Sequence, residues 1–511
     1  MAFRQSQGTP RAQSRRSQEG PRVSQPRRST PRGSRTTSST WTSRPAAGHR
    51  STPSPRPAAK VRPAQGSRPA GQPQASAPGQ RSGATSRHNS RPLGSSFSAS
   101  PSGKPAPGSF DRRTLIKGAL GLGGLAAAGS VVSSIQGCAK DAASQDLVAP
   151  AQVEEKDAIQ VMDDYSYVEG APNLAESGRW QVALGTVLYP SEGNWIAATL
   201  TGDTPYPPVS AGAFSVAAGS LATVVDKPQS GGANYVIYEA RCSDSVYAWV
   251  ELDVVSGDWR LYGCAFSNGA LSGNPVELYS GDKDWDPPQL VCTGNQVIWY
   301  VMPVAGGAKT SEDSTCYLWK TGQSKGEAKI VSHGRFACAP TVSEGHLVCV
   351  PRDDRDGAVH YAIRSYALSD DLAASKDELV LPQSIRPFSA VLLGGKLAFQ
   401  IEANYQSGGL LGKMGTYLAQ DDGSYVAVSR EPSAPPAGSA NTCIVKNRAS
   451  YVVADLANAT YGTLAAEDRS VDYGEYPARV GTCQDFITFA TVKDPSTSYP
   501  SAVVVRAFKV S

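Results

Sequence analysis

Carboxylates are the residues best placed for chemistry in this chain. Asp282-Lys283-Asp284-Trp285-Asp286 sets three acids at alternating positions, the oxygen-rich arrangement a hard cation such as calcium requires. The run lacks the glycine and the distal glutamate of a complete calcium loop, so solvated turn acids are the plainer reading. Three histidines, His333, His346 and His360, lie 13 and 14 residues apart and match no helical or hairpin metal spacing. There is no G-x-S-x-G elbow around a serine nucleophile. No glycine loop ending in Lys-Ser or Lys-Thr is present to cradle a phosphate. No catalytic residue is therefore nominated, and calcium at Asp282, Asp284 and Asp286 is the one cofactor the sequence suggests. Acids are numerous enough to supply the pair that a glycoside hydrolase needs.

Cysteines are the second chemically active set. Leaving Cys138 aside, eight remain: Cys242, Cys264, Cys292, Cys316, Cys338, Cys349, Cys443 and Cys483. No two are arranged as C-x-x-C, which removes the zinc-ribbon and thioredoxin-like readings. In an oxidising compartment an even set of eight reads as four disulfides. Spacing suggests 242–264, 292–316, 338–349 and 443–483, with eight buried thiols as the alternative.

The elements that must position these residues are short strands. From about residue 178 the chain is rich in Val, Tyr, Trp and Thr, is punctuated by Gly, Asp and Ser, and has no amphipathic helical stretch. A tight turn followed by an apolar strand recurs as SEGNWIAATL, SDSVYAWVEL, TGNQVIWYVM, SEGHLVCVPR, GGKLAFQIEA, KNRASYVVAD and TCQDFITFAT. With Trp195, Val246, Val297, Leu347, Leu397, Tyr451 and Phe486 as equivalents, the steps are 51, 51, 50, 50, 54 and 35 residues. A period near fifty, seven times over, predicts an all-β, seven-bladed propeller with one four-stranded blade per unit. Six blades plus an irregular end, or two stacked β-sandwiches, are the rival layouts. Pro288, Pro340, Pro387 and Pro477 fall where inner strands should begin, a position that tolerates a missing N–H. Only 25 residues follow Phe486, so the last blade needs a strand from the other end of the chain. Residues 157–168 (DAIQVMDDYSYV) are the expected donor.

A different composition precedes this domain. Residues 111–138 read DRRTLIKGALGLGGLAAAGSVVSSIQGC: paired arginines, a lysine, about twenty uncharged residues and a cysteine. Such a segment enters a bilayer with its cationic front held on the cytoplasmic side. Arg112, Arg113 and Lys117 carry a resemblance to the twin-arginine export signal, with Asp111 and Leu115 as mild departures. Ile135-Gln136-Gly137-Cys138 resembles a bacterial lipoprotein box. That resemblance implies acylation of Cys138 after cleavage, a twin-arginine translocase as transient partner, and membrane lipid as a lasting one. An uncut transmembrane helix is the alternative, since twenty residues just span the hydrocarbon. The chain as a whole resembles bacterial surface lipoproteins that carry a propeller-like repeat domain. The resemblance implies residence on the outer face of the cytoplasmic membrane or at the cell surface.

Residues 1–110 contain 17 Arg and 2 Lys against one Glu, with four aromatics, and read as a disordered basic tail. Residues 139–177 read as a linker, and 178–511 as the propeller. The part after Cys138 carries 27 cations and 43 anions, a balance that argues against nucleic-acid binding by the exported domain. The expected function is that of a binding or scaffolding module for protein or cell-wall glycan. A glycan hydrolase or lyase on the same scaffold, or a structural role in the envelope, are the alternatives.

Overall fold

The computed structural model describes residues 148–202, 207–355, 357–467 and 474–511, all within the compact unit Arg91–Ser511. The basic tail, Arg112, Arg113, Lys117 and Cys138 lie outside the described residues.

Seven small antiparallel sheets follow one another along the chain. Blade 1 comprises Val187–Leu188, Trp195–Thr201, Pro208–Ser215 and Ser220–Val225. Blade 2 is built on Tyr235–Cys242, Val246–Asp253, Trp259–Ser267 and Val276–Gly281, and blade 3 on Gln289–Thr293, Gln296–Val301, Ser314–Lys320 and Glu327–Ser332. Blade 4 runs from Thr341–Ser343 through His346–Cys349 and Ala358–Ala367 to Ser375–Val380. Blade 5 holds Ser389–Leu393, Lys396–Ile401, Gly415–Ala419 and Tyr425–Val428, and blade 6 holds Ala437–Gly438, Thr442–Lys446, Ser450–Asp455 and Thr460–Ala465. Blade 7 pairs Tyr476–Pro477, Asp485–Lys493 and Pro500–Val510 with Leu174–Ala183 from the far end of the sequence.

Alternating strands present apolar side chains to both faces of a sheet, so each blade must be covered twice. Seven apolar clusters do this, one at each junction. The cluster of Ile237, Tyr247 and Trp249 joins blades 1 and 2, and that of Trp259, Trp299 and Trp319 joins 2 and 3. Tyr300 with Phe336 fills the next junction, followed by Phe399 with Leu411, Val391 with Val445, and Tyr451 with Phe486. Ile196, Phe214, Ile487 and Val505 pack blade 7 on blade 1, which closes the ring. Truncating one of these fully buried tryptophans costs about 3–5 kcal/mol.

The ring-closing strand is Leu174–Ala183 rather than residues 157–168. Those earlier residues instead edge two neighbouring blades: Ala158–Gln160 runs parallel to Tyr425–Val428, and Ser166–Tyr167 parallel to Thr460–Ala465. Upstream, Ala151 N–H donates to Val380 O, and Leu410 N–H to Val153 O. The segment 151–183 is therefore a belt touching blades 4, 5, 6 and 7 in turn. Buried Arg506 helps fix its end, pairing with Glu475 and lying 3.8 Å from Glu176 on the closing strand.

None of the eight described cysteines is in a disulfide. The propeller geometry gives the reason. Cys242 and Cys264 both stand opposite Tyr247, one on each side of the middle strand. Two inter-strand steps of about 4.8 Å exceed the ~7 Å Cα separation that a disulfide bridges. Cys443 and Cys483 are likewise separated by the strand bearing Gly438. Cys292 and Cys316 oppose Val297 and Tyr300, different residues of the intervening strand. Cys338 and Cys349 lie on neighbouring segments but pack into different clusters, between blades 4 and 5 and between blades 3 and 4.

Candidate functional site

The two ends of the ring differ. At one end the turns joining the first and second strands of the blades reach across the axis. Glu192 of blade 1 accepts from Thr293 Oγ1 (2.9 Å) and Gly294 N (2.5 Å) of blade 3. Glu344 of blade 4 accepts from Thr482 Oγ1 (2.5 Å) of blade 7 and from Gly395 N (3.0 Å) of blade 5. Ser343 Oγ accepts from Thr482 N (3.0 Å), and Gly394 N donates to Thr482 Oγ1 (2.9 Å). Arg479 donates to the carbonyls of Ser191 and Gly193. These hydrogen bonds knit the turns into a hub over the axis, so the other end is the open face.

On the open face, at the outer rim of blade 2, lies a recess of about 400 Å³. It is lined by Tyr235, Asp258, Trp259, Arg260, Tyr279 and Trp285, with Ser280, Gly281 and Asp282 beside them. Trp259 and Tyr279 stack with centroids 5.9 Å apart and planes at 20°, and Trp259 Nε1 donates to Trp285 O (2.9 Å). Gly281 makes this stack possible: a Cβ there would sit 2.3 Å from Trp259 Cζ2. Arg260 is held in its charged form chiefly by the Tyr235 hydroxyl and by Glu277, whose carboxylate lies 3.0 Å away. Lys309 rests 4.9 Å over the Trp285 ring. The half-buried rings of Tyr235, Tyr279 and Trp285, flanked by Asp258, Asp282 and a guanidinium, suit a polyhydroxylated ligand: rings cover the apolar faces of sugars, and charged groups take their hydroxyls.

The acidic run predicted for calcium forms the floor of this region in a different way. Trp285 N–H closes a turn on Asp282 O (3.0 Å), which breaks the extended alternation that would aim three acids at one point. Asp282 Oδ1 accepts from Asp284 N (2.9 Å), and Asp286 is paired with Arg335 at 2.6 Å. Among the described residues no group of three or more His, Cys, Asp or Glu is placed to hold a metal ion. The histidines stand apart: His333 Nδ1 lies 3.4 Å from exposed Asp313, His346 Nδ1 near Glu344 O, and buried His360 Nδ1 near Leu381 O.

Inside the ring, Glu239 is buried and its carboxyl is pushed up by desolvation, partly offset by Arg241 at 2.7 Å. Arg241 also lies 5.0 Å over the Tyr189 ring and donates to Leu290 O, linking blades 1, 2 and 3. This carboxyl is tied to Arg241 within the ring and is not part of the recess. Sequence reasoning named Asp282, for calcium rather than for a recess, and missed Tyr235, Trp259, Arg260, Tyr279 and Trp285. The first four of these come from three strands that meet only once the blade has formed.

No protein-family model and no curated protein matches the chain. Solved structures do. The AfRom2 CNH domain aligns over 66% of this chain and 98% of its own length at 8% identity, with a TM-score of 0.37. The acylaminoacyl peptidase of Pyrococcus horikoshii aligns over 61% of this chain at 10% identity, with a TM-score of 0.40, and Saccharomyces cerevisiae Sqt1 over 66% at 8%, with a TM-score of 0.34. The chain spans about half the length of the peptidase it matches and 88% of Sqt1.

Proposed function

We propose that this chain is an exported, membrane-anchored propeller that binds glycan at the blade 2 recess. The observation that carries the binding assignment is the aromatic lining of that recess, half-buried Tyr235, Tyr279 and Trp285 backed by fully buried Trp259, set around Arg260, Asp258 and Asp282. Export and anchoring rest on the leader: Arg112, Arg113 and Lys117 direct translocation and Cys138 takes the acyl chain. The acidic balance beyond Cys138 supports a glycan over a nucleic acid as ligand.

Calorimetric titration of the full chain with an N-acetylglucosamine tetramer tests the binding assignment. Binding that falls at least about tenfold in Trp285→Ala, as loss of one stacking face entails, supports it. Absent binding, or binding indifferent to Trp285 and Tyr279, overturns it. Release of reducing ends that disappears in Asp258→Asn would replace binding by glycan hydrolysis. For the leader, palmitate labelling lost in Cys138→Ser and precursor accumulation in the paired Arg112→Lys, Arg113→Lys variant are the expected results.

A further inference from the structure

We infer that the open face of the ring rests on the surface of a lipid bilayer, with the loop tips of blades 7 and 2 and the adjoining Val209 and Leu184 seated in it. The distribution of exposed apolar side chains is the first argument. Val254 and Val255 (60% and 76% exposed) form the turn between the second and third strands of blade 2. Tyr499 (74% exposed) ends the corresponding turn of blade 7, Val209 opens the third strand of blade 1, and Leu184 follows the closing strand. All five stand at the open-face ends of three successive blades. None of the exposed large apolar residues among those described lies on the hub turns at the opposite end. Of the nine exposed large apolar residues among those described, Val148, Ile159 and Tyr167 lie on the segment wrapping blades 4 to 6 and Val331 on the outer strand of blade 3, singly; the other five gather at adjoining tips of one face, and such a gathering marks a contact surface.

The tips are also preset. Asp253 Oδ1 accepts from the amides of Val255 (2.8 Å) and Ser256 (3.0 Å). Asp494 Oδ1 accepts from Ser496 N (2.8 Å) and Thr497 N (2.9 Å), and Asp494 O from Ser498 N (2.8 Å). Little ordering entropy is then left to be lost on contact.

The occupant is identified by where the chain enters. The described chain begins at Val148, and Ala151 is bonded to Val380 at the open-face end of the outer strand of blade 4. Only nine residues separate Cys138 from Val148, ten Cα steps and a reach of at most about 35 Å. This step rests on the anchored reading above: an acyl chain on Cys138 holds the ring by this same face. The tether and the tips then lie on opposite sides of that face and together define a plane. Charges near the tips are mostly acidic, Asp253, Asp258 and Asp494 against Lys493, so the attachment is apolar and owes nothing to cationic attraction to headgroups. The recess on the rim of blade 2 lies beside this plane, so the sugar it takes is one displayed at the headgroup level.

Hydrogen exchange of the full chain, with and without phosphatidylcholine vesicles, tests this inference. Amides of 253–258 and 494–499 should slow on the order of tenfold with lipid while the hub turns 293–295 and 343–345 stay unchanged. A triple variant, Val254→Ser, Val255→Ser and Tyr499→Ser, should still sediment with vesicles and lose that protection. A chain that sediments without tip protection, or with protection on the hub turns, overturns the inference and leaves the anchor standing. A chain that does not sediment overturns both. Protection of the tips without lipid, rising with protein concentration, assigns the face to a second copy and overturns the inference as well.

Discussion

Cys242 and Cys264 flank Tyr247 from either side of the middle strand of blade 2, and the tyrosine's backbone is what keeps them apart. Burial then pushes the Cys242, Cys338, Cys349 and Cys443 thiols up to about 12, and the Cys483 thiol to about 11. The thiolate is the reactive form, so these sulfurs are inert in the fold. Thiol titration near neutral pH should find these five unreactive in the native chain, and eight reactive groups after denaturation without reductant, the acylated Cys138 not among them. Fewer groups after denaturation would reveal disulfides that this geometry does not contain.

The hub should respond strongly to one substitution. Glu344 takes the Thr482 hydroxyl and the Gly395 amide from two other blades, and Glu344→Ala leaves both donors without that acceptor. A loss of about 1–3 kcal/mol in denaturant unfolding is expected, with the transition remaining cooperative. Substituting exposed Glu327, whose Lys329 contact is local to one strand, should change stability by less than about 0.5 kcal/mol.

Belt and closing strand make separable contributions. Removing residues 150–168 strips short parallel pairs from blades 5 and 6 but leaves Leu174–Ala183, so scanning calorimetry should show a lowered yet single transition. Removing Leu174–Ala183 exposes the long edge Pro500–Val510 and should abolish the transition. Val161→Asp places a charge among Val426, Val428 and Val445 and should cost at least about 3 kcal/mol.

Lys446 gives a pH signature. Burial pushes its ammonium down to about 8, with Glu475 opposing the shift, whereas the unfolded side chain titrates near 10.5. Between those values the unfolded chain holds more protons, so this group's contribution to stability rises with pH across that window. The stability of the wild type relative to Lys446→Met should therefore climb by on the order of 2–3 kcal/mol from about pH 8 to about pH 10.5. The raised thiols act with the opposite sign above their unfolded value of about 9, and they are common to both proteins.

Gly281 ties the recess to the fold. Gly281→Ala would push Trp259 off Tyr279. Glycan titration should weaken several-fold while the thermal midpoint falls by a few degrees.

The repeat was legible because its signal is local. Trp195, Val246, Val297, Leu347, Leu397 and Phe486 are each the first or second residue of the second strand of a blade, whereas Tyr451 falls on the third strand of blade 6; Pro288, Pro340 and Pro387 each precede a first strand. The belt was not legible, because Ala158–Gln160 and Ser166–Tyr167 join their blades through backbone bonds that carry no residue pattern. Pairing the cysteines failed for a related reason: even number and close spacing suit a disulfide, but a strand stands between three of the four pairs. The recess was half visible, as the run from Asp282 to Asp286 announced itself while Tyr235 and Arg260 met across strands.

Leu174–Ala183 is among the earliest strands of the domain to leave the ribosome, and its partner Pro500–Val510 is the last. Nearly the whole domain must be synthesised before either edge is satisfied. A product stalled anywhere short of Pro500–Val510 keeps two unsatisfied edges and invites aggregation, so quality control of this domain reduces to whether that strand has been made.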